Sequence, residues 1–131
     1  MTARKRGASD ISTDFPSLEE LIGLYQMSSN IMVVYDDNET ERMSEINQVA
    51  LNLQNGRIVL AIPDRDFLPA LLTYDETTGS LSWSDRGEDY AVTIEGQVTV
   101  DESETIRIQL STEEEHPGQL IEGWHTLEKY R

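Results

Sequence analysis

Val49-Ala50-Leu51-Asn52-Leu53-Gln54-Asn55-Gly56-Arg57-Ile58-Val59-Leu60-Ala61-Ile62 is the stretch that decides the fold. Asn55-Gly56 stands between two apolar runs and signals a two-residue type I′ hairpin turn, because both central residues must take positive φ. That turn fixes a register. Leu53 faces Ile58, Leu51 faces Leu60 and Val49 faces Ile62, so three apolar pairs share one face. Asn52 with Val59 and Gln54 with Arg57 share the other. Met43, Ile46, Ala50 and Leu53 are also spaced for a helix through 43–53. The coincidence of turn and pairing favours the hairpin over 49–62 and leaves room for a short helix at 39–47.

The same test extends toward the C-terminus. A loop of Glu76-Thr77-Thr78-Gly79 sets Tyr74 against Leu81 and Leu72 against Trp83. Tyr90, Val92, Ile94, Gly96, Val98 and Val100 alternate with Thr93, Glu95, Gln97 and Thr99, and Gly96 on the inward face suggests a bend or bulge. A loop over 101–105 then pairs Val100 with Ile106 and Val98 with Ile108. Segment 111–119, STEEEHPGQ, reads as a loop, and Leu120–Leu127 as a last strand.

Upstream, Ser17-Leu18-Glu19-Glu20 is a capping box. Leu18, Leu21, Ile22 and Tyr25 follow helical spacing, which predicts a helix over 17–28. Ile31–Tyr35 then reads as a strand. The expected fold is α+β and β-rich: an N-terminal helix followed by an antiparallel meander of about seven strands forming a rolled sheet or small barrel. The expected core includes Leu51, Leu53, Ile58, Leu60, Leu72, Trp83, Val92, Ile94, Ile106 and Ile108. Residues 1–15 read as a flexible basic and polar arm, and 16–131 as a single domain.

Charge is the strongest functional signal. Residues 1–16 hold three Lys/Arg against two Asp/Glu, while residues 17–131 hold seven against 23, a net −16 within a total of −15. Such a body repels phosphate backbones and anionic membranes and attracts basic partners. Cysteine is absent, which excludes a thiolate nucleophile and a Cys-based zinc site. The basic, polar N-terminus lacks the apolar stretch of a secretory signal, so the expected location is cytoplasmic.

Catalytic and metal signatures are weak. His116 lies in a charged Pro-Gly segment, and His125 follows Trp124 on an expected strand, where a structural hydrogen bond is the ordinary role. Asp36–Glu41 is rich in oxygen donors, but an EF-hand starting at Asp36 would need Gly at 41 and Glu at 47, where Glu41 and Asn47 stand. Asp64 and Asp66 flank Arg65 and are explained as a polar turn after Pro63. Neither GxGxxG nor GxxxxGK[ST] occurs. No catalytic residue, metal or cofactor is expected.

The favoured reading is a non-catalytic acidic binding protein that occludes a basic protein partner, as an inhibitor, immunity protein or nucleic-acid mimic does. Its candidate contacts are Asp36, Asp37, Glu39, Glu41, Asp85, Glu88, Asp89, Glu102, Glu104, Glu113, Glu114 and Glu115, all expected in loops projecting from the sheet's ends. The alternative is a small-ligand-binding barrel, with Leu72, Tyr74, Trp83, Tyr90 and Val92 lining an apolar aromatic pocket. An enzyme built on carboxylates and His125 comes third. The sequence leaves the oligomeric state open.

Overall fold

Eight antiparallel strands close on themselves in sequence order, each bonded to the next and the last to the first. The computed structural model describes residues 15–60 and 70–130. The strands are β1 (Gly23–Tyr35), β2 (Thr40–Gln54), β3 (Arg57–Leu60), β4 (Ala70–Asp75), β5 (Ser80–Arg86), β6 (Ala91–Val100), β7 (Ile106–His116) and β8 (Gln119–Lys129), preceded by a short helix α1 (Leu18–Leu21). Closure removes the exposed sheet edges that an open meander would present.

The deciding hairpin forms in the expected register. Leu51 pairs with Leu60, Leu53 with Ile58, Asn52 with Val59 and Gln54 with Arg57. Asn55 and Gly56 both take positive φ, 53° and 80°, as the type I′ turn requires. The Val49–Ile62 pair, Asp64 and Asp66 lie outside the described residues, as do residues 1–14. Tyr74 faces Leu81, and Val98 faces Ile108 while Val100 faces Ile106. The β4–β5 ladder ends at Thr73–Ser82, so Leu72 and Trp83 are not a ladder pair.

The helix prediction over 17–28 needs correction. The capping box forms, with Glu20 N–H donating to Ser17 Oγ at 3.3 Å and Ser17 N–H to the Glu20 carboxylate at 2.8 Å. The helix then stops at Leu21, and β1 begins two residues later. Tyr25, Met27, Ser29, Ile31 and Val33 point inward at period two. Pairing with both β2 and β8 outweighs local helical spacing. There are eight strands rather than about seven, and 40–54 is strand throughout, with no helix at 39–47. Segment 111–116 is no loop either, because β7 runs on to His116 before turning at Pro117-Gly118.

Eight of the sixteen positions in the buried cluster come from β1, β2, β3 and β4, and α1 contributes Leu21. Of the expected core, Leu51, Ile58, Leu60, Leu72, Val92, Ile94 and Ile108 are buried. Trp83 and Ile106 are half-buried against the cluster, and Leu53 is exposed beside the hairpin turn. Asn52, Arg57, Thr93 and Arg107 face out, as the registers require. Gly96 points inward and leaves room for Leu110, which a Cβ there would meet at 2.4 Å.

The barrel has two unlike ends. Helix α1, the Asn55-Gly56 turn, the 76–79 loop and the 101–105 loop gather at one. The 36–39 turn, the 87–90 loop and the Pro117-Gly118 turn gather at the other. The first end is capped. Leu21 is fully buried, Tyr25 Oη donates to its carbonyl at 2.8 Å, and Tyr74 Oη donates to the Pro16 carbonyl at 2.7 Å. Among the described residues no helix packs across the second, the open end.

Candidate functional site

Inside the half of the barrel that faces the open end, the alternation that fills the capped half with aliphatic side chains delivers polar ones. β1 contributes Ser29, β7 Thr112 and Glu114, and β8 His125, all buried. His125 Nδ1 lies 2.7 Å from Ser29 Oγ and Nε2 lies 3.1 Å from Thr112 Oγ1, so the imidazole ties β1, β8 and β7 together across the interior. Gly123 makes this bond feasible. A Cβ there would sit 2.5 Å from Thr112 Oγ1 and 2.6 Å from His125 Nε2. Buried polar groups cost stability unless they are bonded, and this ring is bonded on both sides. His125 thus makes structural hydrogen bonds of the kind expected of it.

Around the open end lie most of the candidate carboxylates. Asp36, Asp37 and Glu39 form the β1–β2 turn, Glu41 opens β2, Asp85 sits near the end of β5, and Glu88 and Asp89 occupy the β5–β6 loop. The Asp36 N–H donates to the Gly118 carbonyl at 3.2 Å and joins two of the turns. Three carboxylates here serve local structure. Asp37 accepts the Glu39 N–H at 3.0 Å, Glu41 accepts from Tyr35 Oη, and Asp85 accepts from Tyr90 Oη at 2.8 Å. The last two bonds raise the tyrosine pKa values, since each carboxylate favours the protonated phenol.

The carboxylates of Asp36, Glu39, Glu88, Asp89, Glu113 and Glu115 take no side-chain hydrogen bond or ion pair among the described residues. The prediction that 113–115 forms a loop tip fails in an instructive way. All three glutamates are on β7, so Glu113 and Glu115 face solvent while Glu114 turns inward, 5% exposed, with His116 Nε2 at 3.1 Å. Glu114 is therefore not a surface contact.

Glu102 and Glu104 belong to the opposite, capped end. Their carboxylates take no side-chain hydrogen bond or ion pair among the described residues, whereas their neighbour Asp101 is built into the fold. Asp101 accepts from the Ser103 hydroxyl at 2.7 Å and from the backbone N–H groups of Ser103 and Thr105 at 2.9 and 3.0 Å. Arg107 lies 3.4 Å from Asp101 and 2.9 Å from Glu128. The Ser103 hydroxyl, above all, and the neighbouring backbone N–H groups and Arg107 hold the Asp101 carboxyl below its ordinary value. The twelve candidates thus form two groups and one inward exception.

Four of the five residues of the alternative pocket lie in or against the packed core, and Tyr90 stands apart from them. Leu72 and Val92 are in the packed core, and Tyr74 is tied to Pro16 at the capped end. Trp83 is half-buried, and Tyr90 stands on the outer loop of the open end with 39% exposure. Among the described residues no group of three or more His, Asp or Glu is arranged to hold a metal ion. No described helix is long and apolar enough to cross a membrane.

No family model matches the chain, and no curated protein is similar to it. A structural-genomics protein of unknown function from Bacteroides ovatus has a similar fold, with a TM-score of 0.62 at 11% sequence identity. The likeness covers 82% of this chain and 41% of that one, so this chain spans less than half the length of that protein. At that identity the likeness shows the fold alone.

Proposed function

We propose that this protein is a non-catalytic binding module that docks the open, acidic end of its barrel on a basic protein partner and occludes it. One observation carries the reading: six exposed carboxylates around that end make no side-chain hydrogen bond or ion pair among the described residues, although Arg86 lines the same hollow as Glu88, Asp89 and Glu115. Close like charges left uncompensated cost stability and add nothing to the fold, whereas a basic partner would neutralise them on contact. The two turns and the strand β7 that carry them belong to a closed barrel, so the surface is presented with little ordering cost.

The test compares two charge-matched variants. One carries Glu88→Gln, Asp89→Asn and Glu115→Gln at the open end; the other carries Glu19→Gln, Glu102→Gln and Glu104→Gln at the capped end. Each is immobilised beside the unmodified protein and exposed to extract of the native cell, then washed with rising salt. The reading expects a basic protein retained by the unmodified and capped-end proteins, lost from the open-end variant, and released as salt screens the contact. Equal retention by both variants, or retention indifferent to salt, sinks it.

A further inference from the structure

The outer face of β1 is the quietest surface on a strongly charged molecule. Its outward residues are Leu24, Gln26, Ser28, Asn30, Met32 and Val34, and none carries a charge. β2 flanks it with Ser44, Ile46 and Gln48, and β8 with Trp124 and Thr126. Ile46 is 71% exposed and Trp124 50%. Charges return at the margins, where Met32 pairs with Arg42 of β2 on one side and Glu122 of β8 on the other, and where Gln26 pairs with Glu128 of β8, itself bound to Arg107. Neither Arg42 nor Glu122 has an ion-pair partner among the described residues.

From this arrangement we infer that the β2–β1–β8 face is the contact between two copies of this chain. A two-fold axis lying along β1 leaves the strand directions aligned, as in packed sheets, and sets β2 of each copy over β8 of the other. The registers then decide what meets. Ser44 and Trp124 both lie level with Asn30, and Ile46 and Thr126 both lie level with Ser28. Each copy's Ile46 therefore falls beside the other's Trp124 and Thr126. Arg42 and Glu122 both lie level with Met32, so the same axis brings each Arg42 against the other copy's Glu122, twice over.

The surface is thus self-complementary in charge as well as apolar at its centre, with Trp at the heart of the patch where binding energy concentrates. A basic partner gains nothing from a face that offers it no carboxylates at its centre. A second copy, which carries the same −15, is repelled least there. The face is about 15 Å across and about 26 Å long, from the spacing of three strands and the rise of Gln26–Val34. At about 400 Å² per copy the contact is smaller than a standard specific interface, so the dimer should be weak and reversible.

Sedimentation equilibrium over a wide concentration range tests the contact. Arg42→Glu and Glu122→Arg should each weaken the dimer, and the double swap should restore it. Trp124→Glu should weaken it roughly tenfold or more, about 1.4 kcal/mol by the usual conversion. Thr99→Glu, on the outer face of β6, should leave it unchanged. All these positions but Glu122 are exposed, and circular dichroism checks each fold. The dimer should also persist at about 0.5 M salt, where charges are screened beyond about 4 Å and the open-end contact is lost. A protein that stays monomeric at every concentration, a dimer untouched by Trp124→Glu, or folded single swaps that the double swap fails to rescue would overturn the inference.

Discussion

At the capped end of the barrel several acidic side chains have structural tasks and Glu19, Glu102 and Glu104 have none among the described residues, whereas at the open end the unused carboxylates are the larger set. Glu20 closes the capping box, Glu76 accepts the Leu18 N–H at 3.1 Å, and Asp101 holds its own loop and Arg107. Asp36, Glu39, Glu88 and Asp89 hold nothing among the described residues. The same residue types therefore do different work at the two ends of the same strands. Acidity by itself does not mark a binding surface; acidity that the fold does not use is the informative kind.

The contrast can be broken most directly at the cap. Leu21 is fully buried and closes the end of the core. Leu21→Ala should cost about 2–5 kcal/mol, the usual range for an emptied apolar site. Thermal unfolding measures it. A loss under about 1 kcal/mol would mean that the site collapses easily and that α1 is no real plug.

In the open half the comparable test is the imidazole bridge. His125→Leu roughly keeps the volume but leaves the Ser29 and Thr112 hydroxyls without their ring partner in a buried setting. The expected cost is about 1–3 kcal/mol, the penalty of a buried unsatisfied group. Denaturant unfolding at constant slope reads it, and an unchanged or higher midpoint would show that the polar layer adds nothing to stability.

That polar layer also explains where sequence reading stopped working. The registers around 49–60, 74–81 and 98–108 were legible because their inward positions are aliphatic or aromatic, so period two stands out. β1 places Ser29 inward among Tyr25, Met27 and Ile31, which hides the alternation. The capping box and Leu18, Leu21, Ile22 and Tyr25 then point to a longer helix than forms. In β7 the inward residues are Thr112 and Glu114, so STEEEH has no apolar period at all and reads as a loop. Of the candidate surface, 36–39, 88–89 and 101–104 do lie in loops at strand ends, whereas Glu41 and Asp85 fall just inside β2 and β5. Glu114 was misplaced because alternation sends every second residue of a strand inward, whatever its charge.

A smaller effect separates the two ends by pH. Burial, followed by the charges of Glu76, Glu20 and Asp75, pushes the Tyr74 phenol from 10.0 up to about 12. The unfolded chain releases this proton near pH 10, while the folded protein keeps it to about 12. Tyr74 therefore contributes fully below pH 10, and its contribution is lost as pH rises through 12. Tyr74→Phe removes the bond to Pro16, costing about 0.5–1.5 kcal/mol at neutral pH, and should flatten the decline in stability above pH 10. An alkaline decline of the same size in the variant would assign it elsewhere, with Tyr25 next to examine because burial raises its pKa too.

The smallest effect on folding belongs to the surface with the largest proposed role. Glu88→Gln, Asp89→Asn and Glu115→Gln together change side chains that bond to nothing among the described residues. Their removal should move stability by no more than about 0.5 kcal/mol, as is usual for exposed positions away from caps and networks. The sign should be positive at low salt, because the removed charges repel one another and the rest of a −15 chain. Added salt should shrink that gain, since screening already relieves the repulsion in the unmodified protein. Equilibrium unfolding of both proteins at two salt concentrations gives the four values needed. A clear loss of stability in the variant would mean that these carboxylates do support the fold, and the distinction between the two ends would fall with it.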